Sequence, residues 1–386
     1  MLVLECILGL CSKQEDITCA FLHASLGKDE TVYIEMPQGF KQYDKQGRLK
    51  VLKLNRTLYG LHQSSRALWL YLIKKLEQCG LKQSKLDPCL FIGTRVICVV
   101  YVDNLLFWSP KEEYIYKLGE VLCAEDVELE EEGNAAGFLG VKLHRNKATG
   151  HINMTQEGLI KQVIEALGLD MDQTSAKGTL ADQKPLVKDK KGKPQQDTFN
   201  YASIVGMSLY LSGHTRPDLA YSISHFARSM FNPKHLHEVA LKRIGCYLIG
   251  TQDKEMIIKP TSTIGINAYL DADFAGLYGY EDNNNPVCVH SRTGYVITIA
   301  NCPIFWSSKL QTETAISTME AEIIALGSCC CKLLPIIGLV DEIDAAVGIK
   351  DPDDDKANSS TMHITIYKDD SGALILATTP PPQFTH

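Results

Sequence analysis

The chain has 386 residues with a formal net charge of −7; 45% of its residues are hydrophobic and 22% charged. That length suits two or three domains, and the composition is that of an ordinary globular protein rather than a disordered or fibrous one. The acidic balance argues against a generic nucleic-acid coat, whose phosphate contacts need a basic surface. No apolar run is expected to reach the ~18 residues of a membrane span, so no membrane partner is expected.

Leu4, Ile7, Leu8 and Cys11 fall at helical spacing, which predicts a buried helix at the start of the chain rather than a signal peptide. Thr31 to Met36 alternates like a strand, and Ser65 to Cys79 reads as a helix with Ala67, Leu68, Tyr71, Leu72 and Leu76 on one face. Val96 to Trp108 is an apolar, β-branched run broken by Asp103-Asn104, the signature of two strands joined by a tight turn. Phe138 to Leu143 reads as a strand and Thr155 to Leu167 as a helix. Lys177 to Asn200 is polar and lysine-rich, the best linker candidate. Helical periodicity returns over 201–250, with Arg216-Pro217-Asp218 as a helix start. Strands are expected at Ile264 to Leu270, Gly294 to Ala300, Pro303 to Trp306 and Ile364 to Tyr367, with helices over Met319 to Leu334 and from Ser371. That order of strands, helix, strand and helix indicates a mixed α/β layer.

The thirteen cysteines show no CxxC spacing and read as reduced thiols, with Cys329-Cys330-Cys331 serving packing. The lysines at 184, 188, 190, 191 and 193, and the acidic runs Glu125 to Glu132 and Asp351 to Asp355, read as solvated loops.

Four acids stand at or beside apolar strands: Asp16 before Ile17 to Leu22, Asp103, Asp271 and Asp369. A fifth, Glu322, sits among the apolar residues of a helix. A carboxylate held beside an apolar layer is costly unless it meets a cation or a strong donor. Alone, each serves as readily as a cap or turn residue. Grouped into two sets, one per domain, they fit two-metal phosphoryl chemistry, for which Mg²⁺ favours carboxylate oxygens.

Several motifs in order carry a resemblance to a family. Gln14 to Leu22 resembles "QxDVxTAFL", and Ile34 to Phe40 resembles "MxQPxGF". Leu54 to Gln63 resembles "LxKxLYGLKQ", and Tyr101 to Asn104 stands at "YVDD". Thr215 to Ala220 resembles "TRPDIA", and Asp271 to Gly276 resembles "DADWAG". Trp306 to Lys309 and Ser317 to Glu322 resemble "WxSK" and "SSTEAE". Together, over about residues 10–380, the chain resembles the reverse transcriptase–RNase H region of copia-type LTR retrotransposon polyproteins.

The resemblance implies an α+β reverse transcriptase palm and thumb followed by an α/β RNase H-like domain. The palm would cover 1–145, the thumb and connection 146–260 and the RNase H-like domain 262–386. Asp16 and Asp103 would be polymerase metal ligands and catalytic residues. Tyr59, Gly60, Gln63 and Arg66 would lie along the nucleotide and template. Phe138 to Leu143 would be near the primer grip. Asp271, Glu322 and Asp369 would hold two Mg²⁺ ions that activate water against RNA. Asp273, Glu320 and Asp370 are left as structural or auxiliary acids. Implied partners are an RNA template, a DNA primer, an RNA–DNA hybrid and dNTPs. The implied setting is an intracellular one, a cytoplasmic virus-like particle or the nucleus.

The pattern also breaks. Asn104 replaces the second Asp of "YVDD", keeping one oxygen and losing the charge, which makes it a degenerate catalytic position. Ser65 stands for a usual Pro and Gly245-Cys246 for a basic residue. The chain starts close before Asp16 and stops at His386, so the fingers and a last RNase H acid are expected to be missing. The family reading is therefore a polymerase-impaired copy. The alternatives are a non-catalytic remnant that binds RNA–DNA duplex weakly, an RNase H-like nuclease only, or an interaction protein built on that fold.

Overall fold

A computed structural model describes the chain apart from residues 28, 134, 147, 181–184, 190, 197, 262, 263, 348–362 and 380–386. The acidic run Asp351 to Asp355, and Lys184 and Lys190, lie outside the described residues. Two units result. One is Val3–Ala135 with the end of a long helix from Leu339; the other is Ala136–Gly338 with the C-terminal strand and helix.

In the first unit, helix α1 (Leu2–Leu8) ends at Gly9, whose φ of 60° is the left-handed conformation that favours glycine. The expected helix therefore stops before Cys11, which opens strand β1 (Cys11–Ile17). Asp16 lies inside β1 rather than ahead of a strand, and Ala20–Leu22 is one 3₁₀ turn. Strands β2 (Tyr33–Glu35) and β3 (Val51–Lys53) pair with each other. Then come α2 (Ser64–Gln78), β4 (Lys82–Gln83), β5 (Leu90–Ile92), β6 (Ile97–Tyr101), β7 (Asn104–Ser109), α3 (Glu112–Ala124) and β8 (Leu129–Gly133). The six-stranded sheet runs β4-β5-β6-β7-β1-β8. The acidic run expected as a loop thus supplies the edge strand, with Glu130 opposite Asp16. Backbone pairing with β1 satisfies groups that a loop would leave to water.

Leu68, Leu72 and Leu76 of α2 and Ile115, Leu118 and Leu122 of α3 pack on Phe91, Cys98, Val100, Leu105 and Phe107. Truncating one such leucine costs about 2–5 kcal/mol, so this core holds the β6–β7 hairpin firmly. Indole Nε1 of Trp108 donates to Glu5 Oε2 at 2.8 Å, which ties α1 to the same hairpin.

The second unit begins with β9 (Gly137–Phe138), β10 (Val141–Arg145), β11 (Ile152–Thr155) and α4 (Glu157–Ala166). The strand expected over Phe138 to Leu143 is therefore a hairpin. Leu139 and Gly140 turn the chain with φ of 50° and 75°, the two positive values a type I′ turn needs. Helices α5 (Tyr201–His214), α6 (Ala220–Ala227) and α7 (His235–Ile249) follow, then β12 (Met256–Ile258). Ile160, Ile204, Leu211, Ile223, Leu241 and Ile244 join these helices in one core. The lysine-rich stretch forms no helix or strand among its described residues, yet it is fastened. Leu180 and Leu186 pack on the helical core, and Thr198 Oγ1 donates to Glu238 Oε1 at 2.7 Å.

Strands β13 (Gly265–Asp273), β14 (Arg292–Ile299) and β15 (Cys302–Leu310) form an antiparallel meander. Helix α8 (Thr318–Val347) then crosses over to β16 (His363–Tyr367), which pairs parallel to β13. A crossover helix is what a parallel neighbour requires. Helix α9 (Ser371–Thr378) follows.

The expectation of no sufficiently long apolar run is corrected by α8. Over Thr318–Ala346 it is long and apolar enough to cross a membrane, with a mean hydropathy of 2.2 in its best window. Ala321, Ala325, Cys329 and Leu333, four residues apart, are nevertheless buried along one face, and Gln311 Nε2 donates to Ala321 O at 2.8 Å. One face of the helix thus packs inside the second unit, while 22% of that window as a whole is buried.

Candidate active site

Two residues alone, Val102 and Asp103, join β6 to β7, with Tyr101 paired to Asn104. Val102 has φ 57°, and among the two turn residues only it is positive. A β-branched residue there carries strain of roughly 1–2 kcal/mol. Strand β1 lies against β7 with Asp16 opposite Asn104, and Ile17 N donates to Asp103 O at 2.9 Å. The register thus brings Asp16 and Asp103 to the same end of neighbouring strands.

Asn104 is held from both sides. Gln14 Nε2 donates to its Oδ1 at 3.1 Å, and its Nδ2 donates to Asp103 Oδ1 at 3.3 Å. An amide donor therefore faces the Asp103 carboxylate where a second negative charge would otherwise stand. The ring of Tyr59 meets Phe21 edge-on at 4.7 Å. Desolvation, then the charges of Asp103, Cys19 and Asp16, push the Tyr59 phenol above its ordinary range. Gly60 follows with φ 90°, a conformation that favours glycine. Gln63 stands at the N-cap position of α2 with no side-chain capping bond, and Arg66 is exposed in the first turn. Of these four residues, Tyr59 is the one whose charge environment ties it to both acids.

In the second unit, Asp271 comes from β13, Glu322 from the start of α8, and Asp369 from just beyond β16. One oxygen of each lies within 4.8 Å of the others. Asp271 and Asp369 are exposed and Glu322 is buried. Three carboxylates form a donor set that fits a hard divalent cation. Glu322 Oε1 accepts from Ala272 N at 3.0 Å. Its Oε2 is taken by the ammonium of Lys368, in an ion pair whose side chains are 7% and 2% exposed. Asp370 Oδ1 caps α9 by accepting from Ala373 N at 2.6 Å, and Glu320 Oε2 accepts from Ile316 N at 2.7 Å. Both are thus engaged as structural acids.

Residues 5–181 match the model of the reverse transcriptase (RNA-dependent DNA polymerase) family. The chain carries a copia-type reverse transcriptase region. The retrovirus-related Pol polyprotein from transposon TNT 1-94 of Nicotiana tabacum is 32% identical over 84% of this chain and 24% of that protein. The Pol polyprotein from transposon RE1 of Arabidopsis thaliana is 30% identical over 95% of this chain and 23% of that protein. A transposon Ty5-1 protein of Saccharomyces cerevisiae is 25% identical over 80% of this chain and 97% of that protein. The chain spans under a quarter of the length of the two plant relatives.

Reverse transcriptases use divalent metal ions, a nucleic-acid template and nucleotide substrates. The matched region contains the hairpin, β1 and Tyr59. Two residues escaped the sequence reading. Gln14 lies in a quoted motif, but its clamp on Asn104 follows only from strand register. Lys368 reads in sequence as an ordinary lysine after an apolar strand; the fold brings it to Glu322, 46 residues away.

Proposed function

We propose that this region is a divergent RNA-directed DNA polymerase in which Asp16 and Asp103 would hold divalent metal beside the primer terminus and an incoming dNTP. The observation that carries the reading is the pairing of Asp16 with Asn104, which sets two carboxylates at one sheet end beside Tyr59. A bound Mg²⁺ pair would supply activation of the primer hydroxyl and neutralisation of the triphosphate. Tyr59 presents a phenol face to a nucleotide, and Arg66 offers a charge to a template phosphate. The amide of Asn104 lowers the negative charge available to metal, so polymerisation by this copy is impaired.

The meander with a parallel fourth strand, and the carboxylates of Asp271, Glu322 and Asp369, support an RNase H-like domain acting on the RNA of an RNA–DNA hybrid. These residues would hold Mg²⁺, and Lys368 would lower its affinity by neutralising Glu322. A second reading, a non-catalytic remnant that keeps duplex binding, is favoured by that same ion pair together with Asn104. Primer extension and hybrid cleavage with Mg²⁺ separate the two. Extension that disappears in Asp103→Asn, or cleavage that disappears in Asp271→Asn, supports an enzyme. Duplex binding with neither activity supports the remnant.

A further inference from the structure

Three arginines of the second unit are largely buried: Arg216, Arg228 and Arg292. Arg216 meets Asp218 through Nη2 at 2.8 Å, and Arg228 meets Glu281 through Nη2 at 2.9 Å. Arg292, 5% exposed, has no carboxylate ion pair among the described residues. Its Nη1 donates to Ser224 Oγ at 2.5 Å and Ser308 Oγ at 3.3 Å, and its Nη2 has no hydrogen-bond partner among the described residues. Asp273, its strand partner across β13–β14, attracts the guanidinium without closing an ion pair with it. The guanidinium also feels the positive Arg228 and packs on the Tyr221 ring, 5.2 Å from its centroid. A buried guanidinium beside another cation, with no carboxylate in ion-pair contact, is costly.

A cavity of about 350 Å³ adjoins it, bounded by α5, α6 and the β14–β15 strands. Arg228, Arg292 and Lys309 bring positive charge to its wall, with Leu209 and Trp306 as apolar lining. Lys309 is exposed and makes no ion pair among the described residues. The indole of Trp306 is fixed by donation from Nε1 to Ser212 O at 2.7 Å. Glu281 is committed to Arg228, which leaves Arg292 with the attraction of Asp273, short of an ion pair. The space exceeds what a bare phosphate fills and lies in the range of small-molecule sites.

We propose that this cavity binds the phosphate of a nucleotide, free or as one unit of a strand, with Arg292 and Lys309 as counter-charges and Trp306 against the sugar and base. The site shares none of its residues with the two carboxylate sets. Phosphate oxygens suit guanidinium and ammonium donors, and an aromatic wall suits a base in any sequence.

Calorimetry on the full chain, in EDTA to silence the carboxylates, tests this with thymidine 5′-monophosphate, thymidine, inorganic phosphate and an oligothymidylate. The monophosphate is expected to bind and thymidine to bind at least about tenfold more weakly. Arg292→Met and the exposed Lys309→Glu should each weaken the monophosphate about tenfold or more, while Lys161→Glu, exposed and outside the cavity wall, leaves it unchanged. Should Arg292→Met fail to fold, Lys309→Glu decides. Competition by the oligomer, lost together with monophosphate binding in Lys309→Glu, identifies a strand as the source. Monophosphate binding that the oligomer does not displace identifies the free nucleotide. Equal binding of thymidine and its monophosphate, or monophosphate binding indifferent to Lys309→Glu, overturns the proposal.

Discussion

Replacing Lys368 by Met removes a positive charge from the cluster of Asp271, Glu322 and Asp369. Lys368 and Glu322 are 2% and 7% exposed at their side chains, so the pair lies in low-dielectric surroundings. At an effective dielectric of about 20, unit charges about 4 Å apart interact by about 4 kcal/mol. Asp271 and Asp369 are open to water, which brings the repulsion felt by an entering dication down to about 2 kcal/mol. Lys368→Met should therefore tighten Mn²⁺ binding roughly 30-fold. Without metal the variant should be less stable by about 3 kcal/mol, because Glu322 is left buried without its partner. Saturating Mn²⁺ should recover most of that loss. Mn²⁺ titration followed by electron paramagnetic resonance, with thermal melts in metal and in EDTA, reads both effects, and Lys368→Gln supplies a milder second variant. Mn²⁺ affinity unchanged in both variants would refute the view of Lys368 as a resident counter-charge.

Two further outcomes are expected. Desolvation by burial, then the charges of Arg292 and Arg228, hold His225 down to about 4. The unfolded chain binds that proton first as pH falls below the ordinary value of 6.5. Stability should then fall by about 1.4 kcal/mol per pH unit between roughly 6.5 and 4. Denaturant unfolding across that range should show a shallower loss in His225→Gln, and identical slopes would contradict the assignment. Val102→Gly should relieve the positive φ at the hairpin tip and stabilise the chain by about 1 kcal/mol, a rise of about 2–4 °C in melting temperature; a fall would show that the turn is unstrained.

The hairpin at Val96 to Trp108 was legible because an apolar run interrupted by an Asx pair has few other solutions. Strand β1 was not. Ser12, Lys13, Gln14 and Glu15 are buried although polar, because β7 and β8 flank the strand on both sides. No period-2 apolar pattern marks such a strand, whereas Ile17 to Leu22 carries the apolar residues that a strand is expected to show. Phe138 to Leu143 failed for the opposite reason: Leu139 accepts a left-handed φ inside what looks like a continuous apolar run. The acids Asp271, Glu322 and Asp369 were legible one at a time from their strand and helix settings. Their meeting within 4.8 Å, and the presence of Lys368 among them, depends on the parallel pairing of β16 with β13. Arg292 carries no sequence signal, since the open valence of its Nη2 is a property of packing.

The central claim is that Asn104 limits a polymerase site otherwise formed by Asp16 and Asp103. Primer extension on an RNA template, comparing the natural chain with Asn104→Asp in Mg²⁺, tests it most directly. The variant replaces an amide donor to Asp103 by a second carboxylate that Gln14 can still hold. Extension by Asn104→Asp should exceed that of the natural chain by roughly a hundredfold or more. Equal rates in the two proteins, zero included, would contradict it.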